Sequence, residues 1–137
     1  MPFDISALLR SPDIRDIDPA RARLVGALRY CHVARCAETY CPNRLGQHLG
    51  CRAAVASFHV LLDEMGRAWP APIALNRPCN PRLSYAETLI TDLCMAAMRG
   101  ERGGFDEMTH DMLGHSARNA IWSSCTRLMR HLTPVPE

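Results

Sequence analysis

CRAAVASFHVLLDEMGR, residues 51–67, sets Cys51, Ala54, Val55, Phe58, Leu61, Leu62 and Met65 at helical spacing. Its polar residues fall on two narrow strips, Arg52, His59, Asp63 and Arg67 on one and Ser57 and Glu64 on the other. A helix that is apolar around most of its girth must be covered by neighbours, which predicts a helical bundle. The helix is expected to end near Gly66.

Working outward, the segments on both sides repeat the pattern. Asp18 before Pro19 reads as an N-cap with proline at the first helical position, opening a helix on Ala20, Leu24, Ala27, Leu28, Cys31 and Ala34. About two helical turns are expected around Asn43 to Leu49, between Cys41-Pro42 and Gly50. After the central helix, AWPAPIALNRPCNP contains four prolines, which forbid a long helix and leave a short extended piece at Ile73 to Leu75. That crossing loop, with Trp69 and Leu75, is expected to lie packed on the bundle. Ser84 with Glu87 forms a capping box for a helix on Ala86, Leu89, Ile90, Leu93, Cys94 and Ala97, closed by Gly100. GERGG then reads as a flexible break, FDEMTHDML as a short helix stopping at Gly114, and residues from Ser116 as the last helix, ended by Pro134 and Pro136.

The fold expected is therefore all-α: one single-domain bundle of about five or six helices over residues 19–133, after an extended lead-in over 1–18. The helices from 19, 51, 85 and 117 should form its core. A chain of 137 residues suffices for one such core and is short for two.

Composition narrows the function classes. No run is long and apolar enough to span a bilayer, and Asp4 stands where a signal peptide would be basic, so a cytoplasmic setting without membrane contact is the expectation. Seven cysteines, an odd number, then point to free thiols or metal ligands rather than a disulfide framework. All sixteen basic residues are arginine, yet the formal net charge is only +2, so nucleic-acid binding does not follow from composition.

The run HVLLDEMGRAWPAPIALNRPCNPRLSYAETLI, residues 59–90, joins an apolar helix, a proline-rich joint and a helix carrying Glu87. It resembles a family of small uncharacterised helical proteobacterial proteins of unknown function, mainly over residues 50–100. In that family the joint carries several adjacent cysteines before Pro-Arg; here Cys79 stands alone beside Asn80. The resemblance implies a helical fold and supplies no function, since the family has no assigned activity.

Three functional readings follow. The first is a small non-enzymatic interaction or regulatory protein, contacting a protein partner or a second copy of itself. Its candidate contact residues are Arg21, Arg29 and Arg35 on the first helix, which has no acidic residue between 19 and 37, and Trp69, Arg77 and Arg82 on the joint. Arg and Trp are the residue types that interfaces favour.

The second is a DNA-binding regulator through a degenerate helix-turn-helix at 106–130. Leu113, Gly114 and Ser116 have the turn spacing, and Arg118 and Asn119 would reach base edges from the second helix. Thr109 and His110 stand where apolar and small residues should pack, and Asp106, Glu107 and Asp111 oppose phosphates.

The third is a metal or thiol sensor built on Cys36, Cys41, His48 and Cys51, with Cys31 and His32 nearby; zinc or iron would be the metal. The spacings match no standard finger, and cysteines on apolar helical stripes also serve as small core residues, so no cofactor is the leading expectation. Cys41-Pro42 and Pro78-Cys79 carry a haem or redox reading only as dipeptides. An enzyme is the lesser expectation, because the chain has no G-x-S-x-G, P-loop or H-E-x-x-H. His59 with Asp63, and Asp111 with His115, are spaced only as helical surface pairs.

Overall fold

The computed structural model describes residues 12–132, and these form an all-α single-domain bundle. The six helices are α1 (Pro19–Cys36), α2 (Pro42–Leu49), α3 (Ala54–Ala68), α4 (Tyr85–Arg99), α5 (Arg102–Thr109) and α6 (His115–Leu132). The lead-in before residue 12, and Pro134 and Pro136, lie outside the described residues.

Local chemistry sets the helix ends. The Asp18 carboxylate accepts the Ala20 amide at 2.8 Å, with Pro19 in the first turn of α1. α2 ends at Gly50 in the left-handed conformation (φ 72°), and α4 likewise at Gly100 (φ 69°). Ser84 and Glu87 form the reciprocal capping box of α4. Boundaries differ from expectation at both ends of α3 and of α5: α3 opens at Ala54 rather than Cys51, and α5 stops at Thr109, short of Gly114. α3 runs past Gly66 to Ala68, because the restriction comes from Pro70, which holds Trp69 extended (φ −66°, ψ 131°). Gly103 and Gly104 lie inside α5 rather than in a break. Arg102 secures that first turn: it bonds Asp106 at 2.9 Å, and its guanidinium lies 5.8 Å from the centre of the Phe105 ring and 5.2 Å from that of Trp122.

The helices pack as a ring. α1 lies on α4, α4 on α6, α6 on α3, α3 on α2 and α2 back on α1, while α5 sits outside on α4 and α6. The interior is filled by Leu24, Phe58, Leu61, Leu93, Ile121 and Leu128, each at most 1% exposed. α2 runs along α1 from Arg23 to Tyr30, with His48 stacked on Tyr30 at 4.9 Å and Gly50 facing Arg23. It packs on both α1 and α3, and the proline-rich segment 69–84, here called the strap, lines a hollow between those two helices. Trp69, Ile73 and Leu75 of the strap pack on the core, and Leu83 is 1% exposed.

The described part of the lead-in is not a free extension. Ile14 donates to the Pro81 carbonyl at 2.7 Å and Leu83 to that of Pro12 at 2.9 Å, making an isolated antiparallel bridge between Asp13 and Arg82. Prolines on both segments limit the pairing to this short length.

Candidate functional site

Arg29 decides how the strap sits. It is 2% exposed, and Glu87 is fully buried beside it. The guanidinium meets the carboxylate through both arms of its fork, Nε to Oε2 at 2.8 Å and Nη2 to Oε1 at 3.0 Å. Its remaining donors reach the carbonyls of Asn80 and Arg82, each at 2.7 Å. Glu87 in turn accepts the Ser84 amide at 2.8 Å and the Asn76 amide at 3.2 Å. One buried charge pair thus joins α1, α4 and both limbs of the strap. Pairs of this kind fix geometry more than they add net stability, because both charges must be desolvated.

The strap so held walls a groove that opens between α1 and α3. Its deep chamber is about 230 Å³, with Leu28, Leu62, Met65, Ile73 and Ile90 among its lining and Arg35 beside them. An outer chamber of about 430 Å³ adds Val33, Ala37, Asn76 and Arg77. His32, Cys36 and Leu75 line both, so the chambers are continuous. No carboxylate lines either one.

Arg35 is exposed and is oriented from behind. Its Nη2 lies 3.4 Å from Nδ1 of His59, whose Nε2 bonds the Tyr40 hydroxyl. Arginine only donates, so Nδ1 is the accepting atom in this contact. Burial and the neighbouring Arg35 charge push the His59 pKa down, with Asp63 opposing in part. Burial also raises the Cys31 thiol and the Tyr40 phenol.

The expected contact residues divide. Arg35 and Arg77 lie on the groove, and Trp69 walls a shallower hollow next to it with Pro70, Pro72 and Ile73. Arg21 is ion-paired with Asp92 and donates to Thr91 at 3.3 Å, tying α1 to α4. Arg82 faces Asp13, whose carboxyl is held well below its usual range, chiefly by Arg15 and in smaller part by Arg82. Arg29 is a correction: it is enclosed by Glu87 and the strap and offers no surface to a partner.

The sensor candidates are dispersed. Cys36 lines the groove; Cys41 caps α2, where the amides of Arg44 and Asn43 favour its thiolate; His48 stacks on Tyr30; Cys51 lies beside Gly50 and Arg52. Among the described residues, no three His, Cys, Asp or Glu side chains are grouped to hold a metal.

On α6, Ser116 is exposed and Arg118 half-buried, while Asn119 is engaged by Arg102 and His115. Thr109 is fully buried at the α5 end because its hydroxyl donates to the Phe105 carbonyl at 2.8 Å, which lets a polar residue pack there.

Sequence reasoning missed His32, Val33, Gly66 and Ile73 as groove residues. A signal existed: His32 and Cys36 are four apart on one helix face, and Ile73 and Leu75 alternate in an extended segment. No protein family, curated protein or solved structure matches this chain.

Proposed function

We propose that this is a small non-enzymatic interaction or regulatory protein that receives a protein partner in the groove between α1, α3 and the strap. The observation that carries the reading is the groove itself: an apolar chamber, flanked by exposed arginines, whose wall is fixed by a buried charge pair. A preformed wall lowers the ordering cost of binding. No described helix is long and apolar enough to cross a membrane. Cys31, Cys36, Cys41, Cys51, Cys79, Cys94 and Cys125 all stand as free thiols, which supports a reducing, cytoplasmic setting as part of the proposal.

Gly66 provides the test. It is exposed and lines the deep chamber, and a Cβ added there meets nothing within 4 Å. Gly66→Phe should fill the groove while leaving the melting temperature at or above that of the wild type, since glycine inside a helix is unfavourable. A displayed random-peptide library selected on the wild-type chain is expected to yield binders that fail on Gly66→Phe. Binders indifferent to that substitution, or no binders at all, would remove the groove from the reading.

A further inference from the structure

We infer that the groove's occupant is an acidic, extended segment of a partner protein that lowers one aliphatic or aromatic side chain into the deep chamber and sets carboxylates against Arg35 and Arg77. The inference rests on the groove being the interaction site. Size suits the anchor: a cavity of about 150 Å³ already takes benzene, so the 230 Å³ chamber has room for one large apolar side chain. The anchor would meet Leu28, Leu62, Met65, Ile73 and Ile90, and so lose water on the faces it turns to them.

Charge fixes what flanks the anchor. Arg35 and Arg77 are exposed on the two chambers, and no acidic side chain lines either of them. A basic segment would meet like charge at Arg35 and Arg77, whereas carboxylates can take guanidinium forks in bidentate fashion. The carboxyl end of α1 borders the outer chamber and would repel an anion through its carbonyls. Those carbonyls are already occupied: Ala37 donates to Val33 at 3.0 Å, Thr39 to Ala34 at 2.8 Å and Glu38 to Arg35 at 3.3 Å. His59 adds orientation, because its Nδ1 lies 3.4 Å behind the Arg35 guanidinium, on the side away from the groove's lining. Continuity of the chambers through His32, Cys36 and Leu75 suits an extended chain whose anchor sits beside its charged residues.

The test uses the full chain and four synthetic probes in fluorescence polarisation or calorimetry. One peptide has a single Phe flanked by Glu and Asp, one the same Phe flanked by Arg, and one the acidic flanks around Gly; decanoate is the fourth probe, a small anionic amphiphile. The acidic Phe peptide should bind at least tenfold tighter than either other peptide. The Arg35→Glu and Arg77→Glu double variant should lose that peptide and gain the basic one, and Gly66→Phe should lose both.

Equal binding of acidic and basic Phe peptides, both lost on Gly66→Phe, would overturn the acidic partner while leaving the groove as the site. Decanoate binding that Gly66→Phe removes, with no peptide binding, would overturn the protein partner in favour of a small amphiphile. A concentration-dependent dimer abolished by Gly66→Phe in sedimentation would assign the groove to a second copy instead. Probes that all bind, or all fail, independently of Gly66→Phe would sink this inference and the groove reading together.

Discussion

Arg29 and Glu87 each give up their water, and what they receive in return is specific: a bidentate pair, two strap carbonyls and two strap amides. Removing one partner leaves the other charge buried and unpaired, so Arg29→Ala should lower the unfolding free energy by about 3–5 kcal/mol in urea titration. Arg29→Lys should recover only part of this, since an ammonium keeps the charge but cannot span the same carbonyls and carboxylate at once. His59 gives a pH prediction. Its folded pKa lies below its unfolded one, so the unfolded chain binds the proton more readily. The stability it contributes is therefore complete above about pH 6.5, the unfolded value, and is lost as pH falls through the folded pKa. Melting temperature followed from pH 7 to pH 5 should decline less in His59→Gln than in the wild type.

Among the elements, two glycines separate conformational need from mere presence. Gly100 ends α4 at φ 69° with open space around it, so Gly100→Ala should cost about 1–2 kcal/mol through the left-handed backbone alone. Gly104 lies within α5, also in open space and without a positive φ, so Gly104→Ala should stabilise by up to about 1 kcal/mol. Opposite shifts of the two melting temperatures check both. The helices whose ends carry side-chain or glycine signals, α1, α2 and α4, were readable from Asp18-Pro19, Gly50, Ser84 and Gly100. The start of α5 was not, because the contacts that support its glycines come from Arg102 lying near Trp122 on another helix. The packed strap was foreseeable from Trp69 and Leu75, which had no other shelter.

At the scale of the molecule, the all-α architecture follows from apolar spacing that local sequence displays in full. The groove does not, because it is lined jointly by α1, α3, the strap and Ile90 of α4, which only the tertiary fold brings together. Arg35 and Arg77 were legible as arginines on the first helix and on the joint; their sharing one hollow was not. Arg29 misled for a related reason. A basic run with no acid within it reads as solvated, and Glu87, the acid that neutralises Arg29, stands 58 residues later.

That interval has a consequence for synthesis. A growing chain at about 5–20 residues per second exposes Arg29 roughly 3–12 s before Glu87 exists. Throughout that time the guanidinium has no carboxylate to enter the interior with, so α1 cannot take its final seat until Glu87 has been made. The amino-terminal clasp waits as well, because Pro12 and Ile14 need residues 81–83. The seating of α1 is thus timed by the emergence of the first turn of α4, and a nascent chain arrested before Glu87 should hold α1 undocked.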